Sequence, residues 1–98
     1  MAKAEWTPTA KRELDEIHDF IGIERQSPRA AADLVREIHA KANLYASQPE
    51  MGTSREDLGE EFRIFPVKPY VVVYRATQDG IDVLRVVDGR RNYPTLFP

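Results

Sequence analysis

Apolar residues recur at helical spacing near the start of the chain. They fall on one side of a helix while charged residues fall on the other, at Ala10, Leu14, Ile17 and Ile21. This pattern predicts an amphipathic helix of about four to five turns. Thr7-Pro8 predicts its start, because threonine is a favourable N-cap and proline is tolerated at the first helical position.

A second helix is predicted after Ser27-Pro28, which repeats the same start signal. Its apolar positions are Ala31, Leu34, Val35, Ile38, Ala42 and Tyr45. Pro49 ends the pattern, because the residue before a proline is disfavoured in a helix. Since only a few residues separate the two helices, we expect them to form an antiparallel hairpin.

The second half of the chain is rich in β-branched and aromatic residues, which is typical of strands. Three such runs cover residues 61–65, 70–77 and 81–87, and residues 3–7 are a candidate edge strand. Turn signals separate the runs at Lys68-Pro69 and at Gln78-Asp79-Gly80. The sequence therefore predicts one α+β domain over residues 1–98, with the helix hairpin packed on one face of a small antiparallel β-sheet.

The second predicted turn also predicts which side chains share a face of the sheet. A two-residue turn at Asp79-Gly80 would place Tyr74 opposite Arg85. Because successive side chains of a strand point to opposite faces, one face would carry Val71, Val73, Leu84 and Val86, and this face would pack beneath the helices. The opposite face would be more open and carry Tyr70, Val72, Tyr74, Val83, Arg85 and Val87. If Gly80 instead forms a bulge, the register shifts by one residue and this assignment fails.

Composition excludes several classes of chemistry. The 98 residues include no cysteine, so disulfides and thiolate catalysis are excluded. The charged N-terminus is unlike a signal peptide, and the longest apolar run, residues 70–74, is far shorter than the roughly 20 residues that span a bilayer. The two histidines, His18 and His39, are a weak metal signal. We therefore expect a cytoplasmic protein with no metal and no cofactor.

Charge is unevenly distributed along the chain. The net charge is −2, which argues against sequence-independent binding to DNA. Residues 62–98, however, carry only three aspartates against six basic residues, Arg63, Lys68, Arg75, Arg85, Arg90 and Arg91. Because arginine forms paired hydrogen bonds to carboxylates and phosphates, this part of the chain is a candidate binding surface.

Four stretches of the sequence together resemble one known family. They are the paired helices that begin at Thr7-Pro8 and Ser27-Pro28, the loop Pro49-x-x-Gly52-x-x-Arg55-x-x-Leu58, the strands around Arg63-Ile64-Phe65-Pro66 and Tyr70-Val71-Val72-Val73-Tyr74-Arg75, and the ending Ile81-Asp82-Val83-Leu84-Arg85-Val86-Val87-Asp88-Gly89-Arg90-Arg91. In order and spacing they resemble the RelE/ParE superfamily of type II toxin–antitoxin toxins, over essentially the whole chain. Two departures lie near the end: the family commonly has histidine in place of Asp88 and aspartate in place of Asn92.

The resemblance implies one of two activities. RelE-like members are ribosome-dependent mRNA endonucleases, whereas ParE-like members inhibit DNA gyrase without modifying it. The position that resembles the RelE tyrosine is Phe97, which has no hydroxyl, and Lys68 is the only lysine after Lys41. The chain therefore resembles the ParE-like branch, and we expect no catalytic residues. A RelE-type RNase and a non-toxic binding module of the same fold are the alternatives.

The resemblance also implies partners and contact residues. We expect a cognate antitoxin, ParD-like or of another class, and DNA gyrase as the target, with nucleic acid met only indirectly and no membrane. Residues expected to contact the target or antitoxin are Arg63, Arg75, Arg85, Arg90, Arg91, Tyr74, Tyr93 and Phe97. An antitoxin segment is expected to cover the helix stripe Leu14, Ile17, Ile21, Leu34 and Ile38. The apolar tail after Asn92 is interpreted as packing on the core in preference to remaining exposed.

Overall fold

The computed structural model describes residues 2–98 as an α+β fold. Its strands are β1 (Lys3–Trp6), β2 (Thr53–Ser54), β3 (Phe62–Val67), β4 (Tyr70–Thr77) and β5 (Gly80–Asp88). Its helices are α1 (Pro8–Asp19), which continues as a π-helical turn (Phe20–Glu24), and α2 (Pro28–Ser47). Short 3₁₀ turns lie at Pro49–Met51 and Tyr93–Leu96.

Both predicted helix starts are confirmed, but the two caps differ. The hydroxyl of Thr7 accepts a hydrogen bond from the Ala10 amide at 3.2 Å and donates one to the Leu84 carbonyl at 3.1 Å. Thr7 therefore fixes the start of α1 and also ties it to β5. The side chain of Ser27 makes no capping hydrogen bond, so the start of α2 depends on Pro28.

The sheet is mixed, with strand order β1-β5-β4-β3-β2. The prediction of a purely antiparallel sheet is wrong at β1, which pairs in parallel with β5 from Lys3↔Gly80 to Trp6↔Val83. All the intervening elements connect these two strands, so no hairpin turn forces them to run in opposite directions. The two-residue strand β2, beside β3, was also not predicted.

The predicted register of the β4–β5 hairpin is wrong. The turn residues are Gln78 and Asp79, because Thr77 pairs with Gly80. From there the ladder runs to Tyr74↔Val83, and a bulge then shifts the pairing to Val73↔Arg85. Tyr74 consequently does not lie opposite Arg85.

On β4, the side chains that face the helices are the ones that were predicted to face away from them. Residues that belong to one buried cluster with α1 and α2 include Phe65, Val67, Tyr70, Val72, Tyr74, Val83 and Val86. Val86 lies on the predicted face because the bulge reverses the alternation of β5 after Val83. Large aromatic rings pack between the helices and the sheet, with the ring of Tyr45 stacked on that of Phe65 at a centroid distance of 4.2 Å.

Tyr74 is fully buried, which a tyrosine tolerates only if its hydroxyl has partners. The hydroxyl accepts a hydrogen bond from the Gly52 amide at 3.0 Å and donates one to the Pro49 carbonyl at 2.6 Å. Burial raises the pKa of Tyr74 above its ordinary value. Tyr74 therefore anchors the 3₁₀ turn at Pro49–Met51 to the core.

The two helices are joined by residues 25–27, and both contribute to the cluster that packs on the sheet. Their antiparallel arrangement stays a prediction. Within the described residues, neither helix has the combination of length and apolar content that crossing a bilayer requires.

Candidate protein-interaction site

Two adjoining clefts, of about 530 and 490 Å³, form a groove on the surface of the described chain. We call it the basic groove, after Arg25 and Arg90, which line both clefts. It lies where α1 ends, α2 begins, the β3–β4 turn projects and β5 ends. The two clefts share Phe20, Arg25, Tyr70 and Arg90.

The floor of the basic groove is apolar. Its apolar and aromatic lining residues are Ile17, Phe20, Ile21, Leu34, Pro69, Tyr70, Val86, Val87 and Leu96. Phe20 begins the π-helical turn and remains 41% exposed, although a phenyl ring gains free energy when it is buried. Because π-helical turns are wider than α-helical ones and are common at functional sites, this end of α1 is a candidate contact surface.

The rim of the basic groove carries charges of both signs. Its four cations are Arg25, Lys68, Arg90 and Arg91, and its four carboxylates are Glu13, Glu16, Asp33 and Asp88. Arg90 pairs with Asp88 through hydrogen bonds of 2.9 and 3.1 Å, which hold the pKa of that carboxyl below its ordinary value. The Nζ atom of Lys68 lies 3.6 Å from the Oε1 atom of Glu37, so these two side chains form an ion pair. Arg25 forms no ion pair with any described residue, and its guanidinium lies 5.5 Å from the centre of the Phe20 ring. Arg25 is thus the rim cation most available to a carboxylate from outside.

Arg85 is paired within the molecule. Its Nε and Nη2 donate to the Glu13 carboxylate at 2.7–3.1 Å, and the Val86 amide donates to the same carboxylate at 2.9 Å. The side chains of Arg85 and Glu13 are only 23% and 15% exposed. The expectation that Arg85 lies beside Tyr74 on an open face is therefore wrong.

The C-terminal residues pack onto the sheet face opposite the helices. The Tyr93 hydroxyl accepts a hydrogen bond from Arg55 at 2.7 Å, and Phe97 meets the ring of Phe62 edge-on at 6.2 Å. Arg55 also donates to both carboxylate oxygens of Asp57, which lowers the pKa of Asp57. The interpretation that the tail packs on the protein is confirmed for Tyr93 and Phe97, whereas Leu96 is 54% exposed.

Two predicted contact arginines lie away from the basic groove. Arg63 donates to the carbonyls of Glu50 and Gly52, at 3.2 and 2.7 Å, so it supports the same turn as Tyr74. Arg75 is exposed on the sheet face opposite the helices, between Phe62 and Asp82 in the register. Tyr74 is removed from the expected contact residues, because none of its surface is accessible.

The helix stripe divides into a buried part and an accessible part. Leu14, Leu34 and Ile38 are at most 6% exposed within the chain itself. The expectation that a partner covers these three side chains is wrong, because the sheet already does. Ile17 and Ile21 are half-buried, and both line the basic groove.

The predicted contact residues that line the groove with accessible surface are Ile17, Ile21, Arg90 and Arg91, while Leu34 lies buried beneath it. Phe20, Arg25 and Tyr70 also line the groove but were not predicted as contact residues. Phe20 and Arg25 could have been recognised in the sequence, since an aromatic residue and an arginine lie where the first helix ends and the short connection to the second begins. No local signal was available for Tyr70, because its place in the groove depends on the strand register.

An apolar floor with charges of both signs along its rim suits an amphipathic protein segment that carries charged side chains beside its apolar ones, among them a carboxylate that could pair with Arg25. Its dimensions and its exposed phenyl ring favour a peptide-like occupant, laid along the groove as a helix or an extended strand would be.

Comparisons with known proteins agree with this architecture. Residues 4–93 match the family described as the ParE toxin of the type II toxin–antitoxin system, parDE. Toxin ParE3 of Caulobacter vibrioides is 32% identical over 80 residues, which is 82% of this chain and 79% of that protein. Toxin RelE2 of the same organism is 30% identical over 86 residues, which is 88% of this chain and 93% of that protein.

A solved structure of a chromosomal ParDE toxin–antitoxin system from P. aeruginosa shares the fold, with a TM-score of 0.71. The match is 22% identical in sequence and covers 90% of this chain and 96% of that one. Since the family match extends over residues 4–93, the chain belongs to the ParE toxin family of type II toxin–antitoxin systems.

Proposed function

We propose that this toxin arrests growth in the cytoplasm by binding DNA gyrase, and that a cognate antitoxin neutralises it by occupying the basic groove. The basic groove is the observation that carries the proposal. It combines an accessible phenyl ring at Phe20 with the unpaired cation Arg25, and both clefts share these two residues. An antitoxin segment with apolar and acidic side chains would bury the ring and pair with the arginine.

The chemistry of the remaining candidate residues favours binding over catalysis. Cleavage of RNA through its 2′-hydroxyl needs a proton acceptor, a proton donor and stabilisation of the phosphate charge. Two of the arginines that could stabilise charge are held by carboxylates, Arg85 by Glu13 and Arg90 by Asp88. The Tyr93 hydroxyl contacts Arg55, while the two histidines contact Asp19 and Trp6 on other parts of the surface.

The test uses the purified toxin in two assays side by side. We expect it to block plasmid supercoiling by gyrase and to leave ribosome-bound mRNA intact. Site-specific cleavage of the transcript, with supercoiling unaffected, would establish the RNase alternative instead. That alternative is kept because Toxin RelE2 is 30% identical to this chain. Normal growth of cells that express the toxin alone would favour the third reading, a non-toxic binding module.

The groove proposal predicts different effects for two neighbouring apolar residues. Phe20→Ala should weaken the toxin–antitoxin complex about ten- to a hundredfold, as loss of a central aromatic contact does. Ile23→Ala is the matched control, because Ile23 lies in the same π-helical turn and is 72% exposed but does not line the groove. Its affinity should stay within about twofold of the wild type, since peripheral contacts contribute little.

Isothermal titration calorimetry with the full toxin and its cognate antitoxin measures both effects. Equal weakening by the two substitutions would place the antitoxin elsewhere on this end of α1. A supercoiling assay on Phe20→Ala then tests the two halves of the proposal separately, because gyrase inhibition does not require the antitoxin.

A further inference from the structure

Residues 93–97, which we call the strap, are attached to the sheet by side chains alone. Their backbone hydrogen bonds are local, with the Thr95 amide donating to Asn92 and the Phe97 amide donating to Pro94. The attachments are the Arg55–Tyr93 hydrogen bond and the packing of Phe97 on Phe62 and Arg85. The strap can therefore leave the sheet without breaking any strand pairing.

The sheet face on the strap's side holds apolar side chains outside the cluster beneath the helices. Val73 is 0% exposed, yet it does not belong to that cluster. Val73 alternates with Val72 and Tyr74, which face the helices, so its side chain faces the other way. Opening the strap would remove the contact between the Phe97 and Phe62 rings on this face and expose their apolar surface to water, which favours the closed position.

Arg85 connects the strap to α1. Its guanidinium carbon lies 5.4 Å from the centre of the Phe97 ring, while two of its nitrogens are held by the carboxylate of Glu13. Glu13 itself makes no contact with the strap through a hydrogen bond or ion pair within the described chain. The position of the guanidinium is therefore a route by which helix α1 can affect the strap.

We propose that Glu13, Arg85 and Phe97 form a latch through which α1 holds the strap closed on the sheet. The second cleft of the basic groove is lined by Glu13 on α1 and by Leu96 of the strap. Occupancy of that cleft and closure of the strap are consequently linked, and each changes the free energy of the other. This latch does not depend on the identity of the toxin's target or antitoxin.

Amide hydrogen exchange, measured by NMR on the full chain, tests the latch. In Glu13→Gln the charged pair is lost and the guanidinium is held less firmly. We expect the Thr95 and Phe97 amides to exchange about two- to fivefold faster, the change that corresponds to losing one cation–π contact. Asp15→Asn is the matched control, because Asp15 is an exposed carboxylate on the same helix that forms no ion pair within residues 2–98 and does not line the second cleft. Exchange of the strap amides should be unchanged in it.

A second variant covers the case in which Glu13→Gln disturbs the whole fold, which far-UV circular dichroism would reveal. Arg85→Lys keeps a cation for Glu13 but has no planar group to lie on Phe97. It should loosen the strap while the circular dichroism spectrum stays that of the wild type. Strap exchange at the wild-type rate in a folded Glu13→Gln or Arg85→Lys protein would overturn the latch.

Discussion

Gly80→Ala should lower the free energy of unfolding by about 4 kcal/mol, through backbone strain together with steric overlap. A Cβ at this position would lie 1.9 Å from the carbonyl oxygen of Lys3, and the φ angle of Gly80 is +156°. Both the neighbouring strand and the backbone conformation therefore exclude a side chain. Urea denaturation of the purified protein measures the change.

The matched control is Gly22→Ala, because a Cβ there would meet Ala31 at an ordinary 3.5 Å. Gly22 lies in the π-helical turn, so alanine should leave the stability unchanged or raise it by about 0.5–1 kcal/mol. Trp6, the only tryptophan, lies on β1 and reports on that strand by fluorescence. A Gly80→Ala protein with wild-type stability and wild-type Trp6 emission would contradict the parallel pairing of β1 with β5.

Phe65→Ala should cost about 3–5 kcal/mol, the usual range for removing a fully buried aromatic ring. Phe65 is 0% exposed, stacks on Tyr45 and lies 5.8 Å from the ring of Tyr74. Its loss would leave a cavity between α2 and the sheet that the remaining rings fill poorly. Thermal and urea unfolding, both followed by far-UV circular dichroism, measure the loss.

Phe62 provides the comparison, since it lies three residues earlier on the same strand. It is half-buried on the face of the strap, so Phe62→Ala should cost only about 1 kcal/mol. Equal losses for the two substitutions would show that the two faces of the sheet contribute equally to stability, contrary to the burial described above.

The helices were predictable from the sequence because their signals are local. Apolar spacing and a proline at the first helical position specify each helix within a few residues, as Thr7-Pro8 does for α1. The strand runs were also recognisable from their β-branched residues. Their partners were not, since β1 pairs with a strand more than seventy residues away and β2 has only two residues.

The register and the face assignment of the β4–β5 hairpin failed for different physical reasons. The turn lies one residue earlier than Asp79-Gly80, because Gly80 is needed where Lys3 approaches closely. A bulge shifts the register between Val73 and Tyr74 and reverses the alternation of side chains within β5. The sequence contains no residue type that locates this bulge. A rule that places aliphatic residues inside and tyrosines outside also fails at Tyr74, where the Gly52 amide and the Pro49 carbonyl satisfy the hydroxyl.

The candidate site could be predicted only in part, because its residues come from distant parts of the chain. The apolar residues of α1 and the arginines after β5 were recognisable separately. Their meeting in one groove depends on the β4–β5 register, which brings Tyr70 opposite Asp88. The ion pair between Glu13 and Arg85 joins α1 to β5, residues 72 positions apart, and it changes Arg85 from a free contact residue into an internal one.

The pairing of the first strand with the last has a consequence for synthesis of the toxin. Hydrogen bonds such as the one from Thr7 to Leu84 join residues 77 positions apart, so they form only after β5 has left the ribosome. A nascent chain that has not reached β5 lacks the strand on which β1 docks. The sheet is therefore completed only after β5 has been translated.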